Sequence, residues 1–95
     1  MAMIRSFANN DTAKIWKQQW IKKIPREIQR LGLRKLIMLH RAVMLDDLRI
    51  PPGNHLEKLT GNRKGFWSIR INNQYRICFR WVNGDAYNVE IIDYH

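Results

Sequence analysis

The chain has 95 residues, 45% of them apolar and 26% charged, which suits a single globular domain spanning 1–95. Seventeen Lys and Arg against eight Asp and Glu leave a net charge of +9. That exceeds what solubility needs and points to a polyanionic partner. One cysteine, Cys78, excludes an internal disulfide and a thiolate metal cluster, and no apolar run nears the roughly 18 residues of a spanning helix. The expectation is a cytoplasmic protein without membrane contact.

Ile4 to Phe7 is short and alternating, as an N-terminal edge strand would be. Asn10 or Asp11 can cap a helix through Trp20, with Ala13, Trp16 and Trp20 placing apolar bulk at helical spacing and Lys14 and Lys17 on other faces. Lys22-Lys23 form a basic connector, and Pro25 suits the first turn of a second helix reaching about Val43 or Leu45. Ile28, Gly32, Leu36, Leu39 and Val43 make one stripe along it. Gly32 in that stripe predicts a close approach by a neighbouring element, at about 1 kcal/mol of helix propensity. Arg26, Arg30, Arg34 and Arg41 lie on or near the opposite side and are candidates for phosphate contact.

Pro51-Pro52-Gly53-Asn54 is a loop, after which the period becomes two. Short strands are predicted at Leu56–Leu59, Phe66–Ile71, Gln74–Trp81 and Ala86–Tyr94, with hairpin turns at Asn72-Asn73 and Asn83-Gly84. The fold class is α+β: an N-terminal strand and two helices packed on one face of a small antiparallel sheet. Alternation puts Trp67, Ile69, Ile71, Tyr75, Ile77, Phe79, Trp81, Tyr87, Val89 and Ile91 toward the helices. The open face is then expected to carry Ser68, Arg70, Arg76, Cys78, Arg80, Glu90, Ile92 and Tyr94. Three arginines on so small an open face suggest a bound anion, a reading favoured over mere pairing with Glu57 and Glu90, since surface pairs contribute little.

The chain ends on Asp93-Tyr94-His95, a carboxylate, a phenol and an imidazole at the tip of the last strand. On a basic protein this grouping suggests acid-base chemistry on RNA, whose own 2′-hydroxyl is the nucleophile. The plain alternative is a structural cap on the strand. Alternation also sets Asp93 and His95 on one side of a regular strand and Tyr94 on the other. His40 and His55 lack partners at metal-ligand spacing, so no metal site and no cofactor are expected; His40 reads as a helix-surface or satisfied interfacial histidine and His55 as a loop residue.

Leu59-Thr60-Gly61-Asn62-Arg63-Lys64-Gly65, Trp67-Ser68-Ile69-Arg70, Tyr75-Arg76-Ile77, Asn83-Gly84-Asp85-Ala86 and the terminal Asp93-Tyr94-His95 resemble the HigB toxins of the RelE/ParE superfamily. The resemblance covers nearly the whole chain from Met3. It implies a ribosome-dependent endoribonuclease that cuts mRNA in the A site of the small ribosomal subunit, neutralised by a HigA-type helix-turn-helix antitoxin. By position, Asp93, Tyr94, His95 and Arg76 match the family's catalytic residues. Lys58, Arg63, Lys64, Arg70 and Arg80 become the RNA-phosphate contacts, and Lys14, Lys17, Lys22, Lys23, Arg30 and Arg34 the ribosome contacts. Where HigB relatives often carry a lysine before the loop glycine, this chain has Thr60, so another loop cation must serve. Two other functions fit the scaffold: a ParE-like toxin that binds DNA gyrase without cutting RNA, or a basic RNA-binding module.

Overall fold

A computed structural model describes residues 3–94. Helices α1 (Asn10–Trp16) and α2 (Arg26–Arg41) precede strands β1 (Glu57–Lys58), β2 (Phe66–Arg70), β3 (Tyr75–Val82) and β4 (Asp85–Asp93). The strands form one antiparallel sheet in the order β1-β2-β3-β4, with 3₁₀ turns at Leu45–Arg49, Pro52–Asn54 and Gly61–Arg63 in the connections. This is the expected α+β architecture.

The N-terminal segment lies along the outer edge of β4, in parallel, through bridges from Ile4 to Ala86 and Phe7 to Val89. Four backbone hydrogen bonds of 2.8–3.0 Å secure it, so the edge of β4 is covered although the segment is too irregular to be a full strand. The Ile4 N–H also donates to His40 Nδ1, 3.2 Å away, and the His40 ring sits 5.2 Å from that of Trp16. His40 is thus an interfacial histidine, which decides between the two readings its sequence left open.

Asn9, one residue earlier than expected, caps α1 by accepting the Thr12 N–H at 2.8 Å. The helix stops at Trp16 instead of Trp20. Gln18 takes a left-handed φ of 62°, and the Gln19 N–H returns to the Lys14 carbonyl, closing the helix end. Trp16 therefore packs against the core while Trp20 is left exposed. The connector is held by buried Gln29, which accepts the Ile21 N–H and donates to the carbonyls of Ile21 and Ile24.

Pro25 caps α2, and Gly32, Leu36 and Leu39 of the predicted stripe are buried. A Cβ on Gly32 would lie 3.1 Å from Ile91 Cδ1, so the close approach is real and made by β4. The helix ends at Arg41, because Ala42 turns extended, and Val43 falls outside the stripe and is exposed.

On the sheet, Ile69, Ile71, Tyr75, Ile77, Phe79, Val89 and Ile91 join the core under the helices, with Trp67 and Trp81 packed against it. Tyr87 departs from the expected alternation. Arg80 pairs with Tyr87 while Cys78 pairs with Glu90, so β4 carries one extra residue between them, and Asn88 takes a φ of 53° there. That bulge turns Ala86 into the core in place of Tyr87.

Candidate functional site

The sheet face away from the helices is only partly open, which corrects the picture of an exposed arginine array. The segment 55–65 folds over it and buries Ser68, Cys78 and Arg76. Burial pushes the Cys78 thiol up to about 11, so this residue is packed material with little thiolate character. Arg76 is 8% exposed and pinned on two sides: Nε donates to Ser68 Oγ at 2.8 Å, and Nη2 donates to the His55 carbonyl at 2.6 Å. A longer approach of 3.9 Å joins Nη2 to Glu57 Oε2. Its guanidinium faces the ring of Tyr94, 5.6 Å from the centroid.

Two cavities meet at Tyr94. One, of about 260 Å³, is lined by His55, Arg70, Asn72, Asn73, Arg76 and Tyr94. The other, of about 300 Å³, is lined by Glu57, Lys58, Leu59, Thr60, Arg63 and Tyr94. Together they make a cleft walled by β1 with its loop and floored by β3, with four cations, Lys58, Arg63, Arg70 and Arg76, along it.

The hairpin between β2 and β3 fixes one side. Asn72 Oδ1 accepts the backbone N–H groups of Gln74 and Tyr75, while Arg70 donates to the Asn72 carbonyl and to Asn73 Oδ1. Across the cleft, Arg63 lies 3.5 Å from Glu90 Oε1 and 5.8 Å from the Phe66 ring centre. Lys58 Nζ lies 6.0 Å from the Trp67 ring centre.

The remaining predicted site residues fall elsewhere. Lys64 is exposed on the same loop without lining the cleft, and Arg80 is exposed nearer the far end of β3, opposite Phe66 and Tyr87. Asp93 pairs in register with Tyr75, whose side chain faces the helices, so the Asp93 carboxylate turns that way as well. It accepts Gln74 Nε2 at 3.0 Å and lines a separate cavity with Tyr75, Lys23 and Asn9. The divergence of Asp93 and Tyr94 expected from alternation is therefore present. His95 lies outside the described residues. Lys14, Lys17, Lys22, Lys23, Arg30 and Arg34 are all exposed on or between the helices, with Lys23 3.9 Å from Asp11.

His55 was not singled out as a site residue in the sequence, yet it lines the cleft beside Arg70, Arg76 and Tyr94. Its left-handed φ of 43° follows the Pro52–Asn54 turn, and that turn is clamped from inside. Fully buried Asn54 donates to the carbonyls of Leu48 and Ile50 and accepts Lys35 Nζ at 2.5 Å. Burial lowers the Lys35 pKa at this contact. The only sequence signal was a histidine directly after a Pro-Pro-Gly-Asn turn.

Among the described residues no cluster of three His, Cys, Asp or Glu side chains is arranged to hold a metal ion, and no helix is long and apolar enough to cross a membrane. What the cleft offers instead is fixed positive charge, an imidazole and a phenol.

A family model described as the RelE-like toxin of the type II toxin-antitoxin system HigB matches residues 5–95. Endoribonuclease HigB of Proteus vulgaris is 48% identical over 94 residues, covering 98% of this chain and 100% of that protein. Toxin HigB-1 of Vibrio cholerae is 45% identical over 83 residues, covering 77% of this chain and 87% of that protein. Among solved structures, the YoeB-YefM complex from Staphylococcus aureus superposes with a TM-score of 0.63 at 18% identity, covering 100% of this chain and 98% of that one. YafQ from E. coli gives 0.60 at 11% identity, covering 99% and 94%. At those identities the likeness is one of fold.

Proposed function

The chain belongs to the HigB-like family of RelE-like toxins in type II toxin-antitoxin systems, and from that premise we infer an endoribonuclease that cuts mRNA held in the ribosomal A site and so stops translation. Its protein partner is an antitoxin, of the HigA helix-turn-helix type in this reading. Its place of action is the cytoplasm, where translating ribosomes are. The observation that carries the reading is the cleft in which Arg76, Tyr94 and His55 stand together with three further cations, Lys58, Arg63 and Arg70.

The reaction balances without a cofactor. The 2′-oxygen beside the scissile phosphate attacks phosphorus and gives its proton to a base. The bond from phosphorus to the 5′-oxygen breaks, and that oxygen takes a proton from an acid. The products are a 2′,3′-cyclic phosphate and a 5′-hydroxyl. Positioned acid-base groups contribute about 10²–10⁴-fold to such a step, and fixed charge aimed at the phosphoryl oxygens contributes comparably.

Arg76 is the phosphoryl anchor. Two of its five N–H donors are spent on Ser68 and His55, which hold the guanidinium plane still while the others meet the non-bridging oxygens. Arg70, Lys58 and Arg63 extend that charge along the strand of mRNA, with Lys58 and Arg63 lining the same cavity as Thr60. Tyr94, resting on Arg76, hydrogen-bonds the phosphate or stacks on a base. Proton transfer falls to His55 and His95. Asp93 braces the strand end just before Tyr94. The helical cations Lys14, Lys17, Lys22, Lys23, Arg30 and Arg34 meet ribosomal RNA, whose positioning of the codon supplies what so sparse a cleft cannot.

Primer extension on an mRNA translated in a purified bacterial system tests this, with wild type and the Tyr94→Ala and His95→Ala variants. Discrete A-site cuts by wild type, weakened in the variants, are expected. Intact mRNA with wild type would overturn the reading in favour of a gyrase-type or binding-only toxin.

A further inference from the structure

Tyr87 stands on the sheet face away from the helices because β4 carries one extra residue beside it. Asn88 takes a φ of 53°, and its N–H donates to Ser6 Oγ at 2.9 Å, which holds the bulge in shape. Ala86 goes under the helices, and Tyr87 is turned outward, half-buried, directly opposite Arg80. Phe66 faces Arg80 from the other side, on β2. Neither ring is packed into the core. A bulge that re-aims a side chain is commonest beside a functional site.

Phe66, Arg80 and Tyr87 therefore form one row across β2, β3 and β4. Neighbouring strands lie about 4.8 Å apart, so the two rings stand about 10 Å apart, wide enough for each to receive its own base. Arg80 between them is exposed and has no ion-pair partner among the described residues. The row continues the cleft. Arg63 lines the cavity at Tyr94 and also lies 5.8 Å from the Phe66 ring centre. Arg80 follows Arg76 on the same face of β3, about 13 Å further along the strand.

The chemistry of the row names its ligand. An acidic peptide would answer Arg80 and leave two separated rings with little to cover. Single-stranded RNA uses all three, since every base offers a π-face and every linkage a negative charge.

We propose that Phe66, Arg80 and Tyr87 form a stacking subsite for unpaired mRNA bases next to the scissile linkage. The proposal rests on the mRNA-cutting reading above and adds what holds the strand beyond the cleft. The rings touch no reacting atom, so they raise affinity for mRNA and leave the chemical step alone.

Fluorescence anisotropy tests the subsite with a short labelled 2′-O-methyl oligoadenylate, which cannot be cut, and an abasic strand of the same length and charge. Wild type should bind the oligoadenylate more tightly than the abasic strand. Phe66→Leu and Tyr87→Leu should each weaken oligoadenylate binding about tenfold and leave abasic binding unchanged, with the fold intact by thermal melt. Tyr87→Phe keeps the ring and should bind as wild type does. On programmed ribosomes the Leu variants should raise KM with kcat little changed. Thiouridine in the A-site codon or the codon after it should crosslink to wild type and much less to Tyr87→Leu. Equal oligoadenylate affinity in wild type and the Leu variants would overturn the proposal. So would equal losses on both strands, crosslinks from ribosomal RNA in place of mRNA, or lost antitoxin affinity with RNA binding intact. If wild type fails to cut mRNA while the rings still govern oligoadenylate binding, the nuclease reading falls and the stacking surface stands.

Discussion

The guanidinium carbon of Arg76 lies 5.6 Å from the centre of the Tyr94 ring, so the residue just past β4 rests on a cation anchored in β3. The contact joins the end of the chain to the floor of the cleft. It also ties Tyr94 indirectly to His55, whose carbonyl accepts from the same guanidinium.

Arg76→Lys separates charge from geometry at this point. A lysine keeps the positive charge but cannot bond Ser68 Oγ and the His55 carbonyl as a planar fork and still face a phosphate. Single-turnover cleavage on programmed ribosomes should fall about 10²–10³-fold, the usual effect of losing one preorganised donor. Stability should fall by about 1–3 kcal/mol, because a buried hydroxyl or carbonyl loses its partner. Cleavage at the wild-type rate, with stability lowered, would leave Arg76 only a structural role.

His55→Gln tests the residue that the sequence did not single out. Glutamine keeps a polar side chain of similar reach, and the backbone carbonyl that holds Arg76 is untouched. If the imidazole transfers a proton, cleavage should drop about 10²–10⁴-fold and one limb of the pH-rate profile should vanish with it. A uniform fall that leaves the profile's shape intact would make His55 a binding contact instead.

The two residues differ in how visible they were. Arg76 and Tyr94 share a face through simple strand alternation, which the apolar residues between Phe66 and Ile91 declare plainly. Asn83-Gly84 announced its hairpin, and both residues take the positive φ that such a turn needs. Gly32 announced the crowding by Ile91. His55 was invisible because its place depends on Asn54 reaching Leu48, Ile50 and Lys35, contacts that no local pattern encodes. Tyr87 was misplaced for a related reason. A single bulge at Asn88 shifts the alternation, and asparagine in a strand gives only a weak hint of it. The early end of α1 was hidden too, since Gln18 has no special tendency toward the left-handed conformation it adopts.

Glu90 links the cleft loop to the cap of α1. Its two oxygens lie 3.5 Å from Arg63 Nη1 and 3.3 Å from Asn9 Nδ2. Both charged partners are partly exposed, so the pair should add at most about 1 kcal/mol to stability. Its larger effect should be on where Arg63 stands, because Glu90 is the only carboxylate paired with that guanidinium among the described residues. Glu90→Gln should raise KM for ribosome-bound mRNA up to about fivefold with kcat little changed. Adding Arg63→Ala to Glu90→Gln should then cost less than Arg63→Ala costs alone. Strictly additive effects on KM would show that Glu90 does not position Arg63.

Asp47 gives the protein a pH dependence whose sign is fixed. The backbone N–H groups of Met44 and Val43 hold its carboxyl below the ordinary value of 3.8. A depressed folded-state value stabilises the fold fully above the ordinary value, and the contribution is lost as pH falls through the lowered one. The Val43 and Met44 amides should therefore be protected from hydrogen exchange at neutral pH and lose protection only below about pH 3.8. In Asp47→Asn the amide oxygen accepts more weakly and does not titrate, so protection should be lower throughout and lack this acid step. An Asp47→Asn variant with wild-type protection at Val43 and Met44 would show that the carboxylate does not hold the segment after α2 in place.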